Sequence, residues 1–299
     1  MRKKLILITL FLGLNSSLFA YDFNVTKSYC NEGYAIGCTD LGYLFDNGIG
    51  VDRNYTLAGE YYIKGCKSGN MRGCGNLAYL YEKGRGLKQD TFKALTLYTK
   101  ACDGDYIYAC GNLGYMYDIG NGVKQDYYKA KKYYQKSCDN DNAYGCANLG
   151  YLYDTGNGVK QDYYKAKKYY EKGCENGNGF ACVSLGYLYD MGRGGLRSYY
   201  NAKKYYVKAC KKKNARGCNN AGFLYEKGYG VKQSYKDATF YYRKSCALNG
   251  VYGCSNLGLL YRKGQGLKQS YYKSKNVYQK ACDLGHNKAC EALKVLNQK

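Results

Sequence analysis

Histidine is almost absent from this sequence of 299 residues, in which it occurs only as His286. Zinc sites usually combine cysteines about two to four residues apart with histidines, and the cysteines here are spaced differently. Zinc binding is therefore a weaker interpretation of the cysteines than disulfide bonding. We predict no metal site and no cofactor. The sequence also has few long apolar stretches. The run from Leu5 to Leu14 is shorter than the about 20 residues that a membrane-spanning helix needs.

The sixteen cysteines form eight pairs, and each pair begins 36 residues after the previous one. On one continuous helix the two cysteines of a pair would lie about 12 Å apart. A disulfide requires Cα atoms within about 7 Å of each other. If the members of a pair are joined, the chain must reverse direction between them, and each pair then marks a helical hairpin. The pairs are Cys30 with Cys38, Cys66 with Cys74, Cys102 with Cys110, Cys138 with Cys146, Cys174 with Cys182, Cys210 with Cys218, Cys246 with Cys254, and Cys282 with Cys290.

Residues 1–20 have the three regions of a secretory signal peptide. Arg2, Lys3 and Lys4 precede the apolar run, and the segment Asn15-Ser-Ser-Leu-Phe-Ala20 follows it. The residue directly after Ala20 is not a cysteine, which argues against a lipid anchor at that point. An exported chain with an even number of cysteines is expected to have its thiols oxidised. We therefore predict a secreted or periplasmic protein without a membrane span after the signal is cleaved.

The remainder of the chain is a tandem repeat. Residues 146–174 nearly duplicate residues 110–138, and the period is 36 residues. Repeats of this length stack on their neighbours and form one continuous core, with atypical units at the two ends. The predicted organisation is an N-terminal cap at residues 21–37, seven repeats at residues 38–289 and a C-terminal capping helix at residues 290–299.

Each repeat contains two predicted helices. In the first, Cys146, Leu149, Gly150 and Tyr153 have the spacing of one helical face, and the helix should end at the following glycines. The second helix should begin after a column of good N-cap residues. That column consists of Asn54, Asp90, Asp126, Asp162, Ser198, Ser234 and Ser270.

The segment LGYLYDTGNGV, followed by DYYKAKKYY, resembles the Sel-like repeat, a relative of the tetratricopeptide repeat. The cysteine pairs at intervals of 36 residues resemble its disulfide-bearing branch, the Helicobacter cysteine-rich proteins. The resemblance covers the whole mature chain. It implies an all-α, right-handed superhelical solenoid of antiparallel helix pairs with one disulfide per hairpin. It also implies penicillin binding and weak β-lactamase activity, which have been attributed to this family.

The residues themselves show no hydrolase site, so the catalytic residues are unknown. Ser270 and Lys273 form an S-x-x-K match, but the S-D-N and K-T-G elements of a serine β-lactamase do not occur. Ser270 also belongs to the N-cap column, where other repeats have aspartate. A zinc β-lactamase would need several histidines. Weak hydrolysis of β-lactam amides is the alternative function, and it is implied by the resemblance alone.

Two columns on the first helix of each repeat are candidates for binding. By resemblance they line a concave groove, where the matching asparagine of tetratricopeptide repeats holds an extended peptide. Tyrosine offers a rigid ring with a polar tip for recognition. Alternatively, asparagine bonds to neighbouring backbone and tyrosine packs between repeats. The first column is Asp40, Asn76, Asn112, Asn148, Ser184, Asn220 and Asn256, and the second is Tyr43, Tyr79, Tyr115, Tyr151, Tyr187, Phe223 and Leu259.

Positive charge indicates the kind of partner. Removing the three basic residues of the signal from the formal charge of +23 leaves +20. Such a charge favours acidic protein or peptide partners and anionic cell-wall material. Peptidoglycan fragments and β-lactams are further candidate ligands. No nucleic-acid-binding motif occurs, so nucleic acid is not a predicted partner.

Overall fold

A computed structural model describes residues 22–298, so the predicted signal peptide lies outside the described residues. Within that range all regular structure is helical, and no helix is long and apolar enough to cross a membrane. The helices are α1 (Phe23–Asn31), α2 (Ala35–Asn47), α3 (Tyr55–Lys67), α4 (Met71–Lys83), α5 (Thr91–Asp103), α6 (Ile107–Ile119), α7 (Tyr127–Asp139), α8 (Ala143–Thr155), α9 (Tyr163–Glu175), α10 (Gly179–Met191), α11 (Tyr199–Lys211), α12 (Ala215–Lys227), α13 (Tyr235–Ala247), α14 (Val251–Lys263), α15 (Tyr271–Asp283) and α16 (Asn287–Asn297).

Local capping sets the limits of these helices. The predicted N-cap column precedes α3, α5, α7, α9, α11, α13 and α15, and each of its side chains accepts a backbone N–H from the first turn. In α9, for example, Asp162 Oδ1 accepts from the Lys165 N–H at 2.9 Å. The preceding helix, α8, ends at Gly156, whose φ of 82° lies in the left-handed region that favours glycine. The predicted caps are confirmed.

A disulfide joins each odd-numbered helix to the next even-numbered helix, and the Cα atoms of the bridged cysteines lie 4.4 to 4.8 Å apart. No cysteine in residues 22–298 is free. The structure thus confirms the predicted pairing and an all-α fold of repeated helical hairpins with one disulfide per hairpin. The bridges join Cys30 to Cys38, Cys66 to Cys74, Cys102 to Cys110, Cys138 to Cys146, Cys174 to Cys182, Cys210 to Cys218, Cys246 to Cys254, and Cys282 to Cys290.

The chain divides into two compact units. One contains described residues 22–113 with 121–123, and the other contains residues 114–120 with 124–298. In both units the core repeats a contact between a glycine of an even helix and a tyrosine of the next odd helix. A Cβ on Gly150 would lie 2.7 Å from Cδ1 of Tyr170, and one on Gly42 would lie 2.6 Å from Cδ1 of Tyr62. Glycine is favoured there because the ring occupies the position of a side chain, and the single exception in the column is the small residue Ala78 of α4.

Candidate binding surface

The two predicted columns lie on the solvent-facing side of the even-numbered helices. In α8, Tyr144, Asn148, Tyr151 and Thr155 follow one another at helical spacing, and none of them is buried. We call this row and its equivalents the even-helix stripe. Its outer two columns were not predicted, although their fixed distance from the cysteines is a signal in the sequence. They are Ile36, Arg72, Tyr108, Tyr144, Phe180, Arg216 and Tyr252, and Asn47, Lys83, Ile119, Thr155, Met191, Lys227 and Lys263.

The asparagine column has partners inside the protein. The Asn76 side chain is a hydrogen-bond partner of the buried Tyr62 hydroxyl. Asn112, Ser184 and Asn220 have the same relation to the tyrosines at Tyr98, Tyr170 and Tyr206. These partners are tyrosine hydroxyls and not the backbone groups considered from sequence. The column therefore helps to satisfy the core, whichever ligand it also contacts.

The remaining members of this column differ from one another. Asp40 forms an ion pair with Arg72. Asn256 Nδ2 donates to Asn219 Oδ1 at 2.9 Å. Asn148 Nδ2 is buried and has no hydrogen-bond partner among residues 22–298. An unsatisfied buried amide is costly, so Asn148 is the member of the column with bonding capacity left over.

Behind the stripe lies a row of carboxylates bonded to buried tyrosines. The Tyr170 hydroxyl donates to Asp154 Oδ2 at 3.2 Å. The pKa of Asp154 is raised above its ordinary value because burial outweighs the opposing effect of the hydrogen bond from Tyr170. Burial also raises the pKa of Tyr170, so its hydroxyl remains a donor. The equivalent pairs are Tyr62 with Asp46, Tyr98 with Glu82, Tyr134 with Asp118, Tyr206 with Asp190 and Tyr242 with Glu226.

This row was missed in the sequence, although the spacing of 16 residues between carboxylate and tyrosine is constant. In the last repeat the position holds Arg262, and Tyr278 has no carboxylate in that place. Because these carboxylates already accept hydrogen bonds from buried tyrosines, they are poor candidates for ligand contact. Their effect on the stripe is to hold each even helix at a fixed rotation against the next odd helix.

The tyrosine column is partly open. Tyr115 and Tyr151 are 36% and 40% exposed, and the Tyr115 ring meets the edge of Tyr144 at 6.5 Å. Two other rings are covered by arginine, because the Arg85 guanidinium lies 5.4 Å from the Tyr79 ring and Arg193 lies 5.3 Å from Tyr187. Among the described members of the tyrosine column, the exposed rings without a cation over them are thus Tyr115 and Tyr151, in the second halves of α6 and α8.

Charge is distributed unevenly along the stripe of the second unit. The positions on α8 and α10 hold only uncharged residues: Tyr144, Asn148, Tyr151 and Thr155, then Phe180, Ser184, Tyr187 and Met191. On α12 and α14 the stripe contains Arg216, Lys227 and Lys263. An aromatic surface beside a basic one can bind a segment that has apolar and acidic parts.

The serine of the S-x-x-K match is a helix cap. Ser270 Oγ accepts from the backbone N–H of Lys273 at 3.2 Å, as the other caps do. The Lys273 ammonium lies over the Tyr261 ring, 5.9 Å from its centroid. The arrangement gives Ser270 the structural role of a helix cap.

Replacement of Ser270 by aspartate tests this role. Aspartate caps a helix about as well as serine, so Ser270→Asp should change stability by no more than a few tenths of a kcal/mol. Any weak β-lactam turnover should stay unchanged, because Ser270 serves as a helix cap. A catalytic serine would instead lose its turnover, since a carboxylate cannot follow the serine acylation route. The measurements are thermal unfolding and nitrocefin hydrolysis. Loss of turnover in a folded Ser270→Asp protein would show that the serine is catalytic.

Comparison with known proteins places these repeats in a family. The chain matches the Sel1 repeat over residues 35–70, 72–106, 107–142, 143–178, 179–214, 215–250 and 251–286. A search of curated protein sequences gives no significant match.

Three solved structures illustrate the likeness. The uropathogenic Escherichia coli protective antigen c5321, which displays an SLR fold, is 25% identical with a TM-score of 0.73, and the alignment covers 92% of this chain but 60% of that one. A Sel1 repeat protein from Oxalobacter formigenes is 25% identical with a TM-score of 0.72, covering 88% and 99%. Helicobacter pylori cysteine rich protein B is 35% identical with a TM-score of 0.38, covering 46% and 99%. The matches to the repeat span most of the sequence, and the chain belongs to the Sel1 repeat family.

Proposed function

We propose that this protein is a binding scaffold of an oxidising compartment, and that its even-helix stripe holds an extended peptide segment of a partner protein. Sel1 and tetratricopeptide-like repeats generally mediate protein–protein interactions. The observation that carries the proposal is the uncharged aromatic stripe of α8 and α10, which is exposed on a framework stapled by disulfides. Because the framework is already rigid, its side chains lose little conformational entropy when a ligand binds.

The compartment follows from the cysteines. Eight disulfides, one in each hairpin, indicate an extracellular or periplasmic environment, because thiols in the cytosol are kept reduced. A signal peptide at residues 1–20 would direct the chain there, with the N-terminal cap beginning at residue 21.

The geometry of the stripe favours a peptide. Consecutive even helices contact one another from α8 through α14. Packed helices lie about 8 to 10 Å apart, and an extended chain advances about 3.3 Å per residue. One peptide side chain in about three would therefore reach each even helix. Apolar or aromatic side chains suit α8 and α10, and carboxylates suit the basic residues of α12 and α14.

Peptidoglycan fragments and β-lactams are the other ligand classes suggested by sequence. Small ligands are usually held in a concave site where several polar groups converge. The stripe is instead an open row of side chains, and several of its polar members are bonded to buried tyrosines. No described residue supports β-lactam hydrolysis. The stripe thus favours a peptide over either small ligand.

Selection of peptides tests the proposal. Random 12-residue peptides displayed on phage would be selected on the oxidised protein, and the sequences obtained should combine aromatic or apolar residues with acidic ones. Asn148→Ala with Tyr151→Ala should weaken binding of a selected peptide about tenfold or more, because a few central aromatic residues dominate most interfaces. Isothermal titration calorimetry measures the change.

A matched control uses tyrosines of the odd helices. Tyr128 and Tyr164 are each 75% exposed and lie outside the stripe, so their replacement by alanine should leave the Kd unchanged. Circular dichroism should show the same helicity for both double variants. Equal binding by the variant changed at Asn148 and Tyr151, or failure to select any peptide, would contradict the proposal.

A further inference from the structure

A second surface, on the odd-numbered helices, departs from the repeat at one place. At five junctions between consecutive hairpins, an aromatic ring of the even helix stacks on a tyrosine of the next odd helix, as Tyr153 does on Tyr169 with 5.5 Å between centroids and 15° between planes. The other stacks are Phe45 on Tyr61, Tyr117 on Tyr133, Tyr189 on Tyr205 and Tyr225 on Tyr241. Two positions break the pattern, since Leu97 and Val277 stand where the tyrosine is expected.

The two exceptions are not equivalent. Near Val277, an arginine takes over the contact with the remaining ring: Arg243 donates through Nη2 to the Tyr261 hydroxyl at 3.0 Å and lies 5.9 Å from the ring centroid. Near Leu97, the residue that corresponds to Arg243 is Ile63, which is too short and too apolar to cover Tyr81 in this way. The space of the missing tyrosine is therefore left open in the first unit.

The result is a groove of about 730 Å³ between α3 and α5, with α4 beneath it. Its wall consists almost entirely of carbon, from Ile63, Leu77, Tyr81, Phe92 and Leu97. Phe92 is 70% exposed, so a large apolar ring stands at the edge of the groove without cover. A volume of this size is typical of a small-molecule site, which is commonly about 300 to 1,000 Å³.

The edge of the groove is basic. Lys67, Lys93 and Lys100 line it together with a single acid, Asp90. Asp90 is already bonded, because its carboxylate caps α5 through the Lys93 N–H at 2.9 Å and lies 3.3 Å from the Lys93 ammonium. Lys67 and Lys100 are exposed and have no ion-pair partner within residues 22–298. The groove thus combines an apolar wall with two ammonium groups available for an anion.

We propose that this groove binds an amphiphilic anion of the fatty-acid class. The aliphatic chain lies against Ile63, Leu77 and Leu97, and the carboxylate reaches Lys67 and Lys100. On α3 and α5 these lysines follow the apolar residues by about one helical turn, so the polar end of the ligand has a defined direction. A peptide is a poorer occupant, because the apolar wall leaves its backbone groups without hydrogen-bond partners. The site is independent of the even-helix stripe.

Titration with sodium decanoate below its micellar concentration tests the site, using the full oxidised chain and isothermal titration calorimetry. One decanoate should bind per chain, more tightly than the uncharged decanol. Leu97→Tyr restores the residue found in five other hairpins and should weaken decanoate binding at least tenfold by filling the groove. Lys67→Gln with Lys100→Gln should remove the preference for decanoate over decanol and keep the binding of decanol.

The matched control is Val277→Tyr, which adds a tyrosine at the equivalent position of α15, where Arg243 covers the facing ring of Tyr261. It should leave decanoate binding unaltered. Circular dichroism establishes that each variant is folded, and Leu97→Phe, which also adds a ring, replaces Leu97→Tyr if that variant fails to fold. The proposal would be overturned if the unmodified protein did not bind decanoate, or if Leu97→Tyr (or its substitute Leu97→Phe) bound decanoate as tightly as the unmodified protein. It would also be overturned if Val277→Tyr lost as much decanoate affinity as the Leu97 variant.

Discussion

Reduction of the eight disulfides is expected to unfold most of the protein at 37 °C. Each bridge closes a loop between cysteines eight residues apart, and the loop-entropy relation assigns such a bridge about 2 to 3 kcal/mol. The sum of eight such contributions exceeds the about 5 to 15 kcal/mol by which ordinary domains are stable. Far-ultraviolet circular dichroism during heating, with and without a phosphine reductant, measures the effect.

Removal of single bridges refines this test. Cys138→Ser with Cys146→Ser deletes a bridge between two central helices, and Cys282→Ser with Cys290→Ser deletes the last one. In a repeat array each unit contacts only its neighbours, so the central deletion should disturb more helices than the terminal one. Peptide mapping of the untreated mature protein should find each cysteine bonded within its own pair. Free thiols, other pairings, or an unchanged melting curve after reduction would refute the role of the bridges.

Loss of one buried tyrosine should have the next largest effect. Tyr170 is fully buried, its ring fills the space beside Gly150, and its hydroxyl donates to Asp154. Truncation of a large aromatic residue in a core costs about 3 to 5 kcal/mol, so Tyr170→Ala should lower the free energy of unfolding by that amount. Tyr170→Phe keeps the ring and should cost about 1 kcal/mol, the net value of one hydrogen bond. Urea denaturation measures both.

Tyr164 provides the comparison for Tyr170, since both lie on α9 and Tyr164 is 75% exposed. Tyr164→Ala should change the free energy of unfolding by about 0.5 kcal/mol or less. Equal destabilisation by Tyr164→Ala and Tyr170→Ala would mean that burial of the tyrosine does not explain its recurrence. Hydrogen exchange would show whether the loss is confined to α9 and its neighbours.

Much of the fold could be predicted because the same local information recurs every 36 residues. Cysteine pairs, N-cap residues and terminal glycines act within a few residues of their own position, so they can be recognised without knowledge of the packing. The carboxylate that bonds to the buried tyrosine could not be recognised in this way. Asp154 and Tyr170 are 16 residues apart on different helices, and only the packing of consecutive hairpins brings them together.

The position of the candidate columns on the helices could be predicted in part for the same reason. Asn148 and Tyr151 were placed correctly on the solvent-facing side of α8 by helical spacing, whereas Tyr144 of the same stripe was not considered. That asparagine side chains of the column bond to tyrosine hydroxyls is a property of the packing between helices. Binding of a peptide by the stripe and its candidate residues remains a prediction.

The sequence by itself determined the helices, their limits, the hairpins and the pairing of cysteines, because each depends on residues close together in the chain. The tertiary structure decided which rings are exposed, which polar groups are already bonded and where a cavity opens. The groove at Leu97 shows the difference. The sequence shows that Leu97 and Val277 each replace the tyrosine of the other repeats. Only the packing shows that Arg243 takes over the contact near Val277 and that a groove stays open at Leu97.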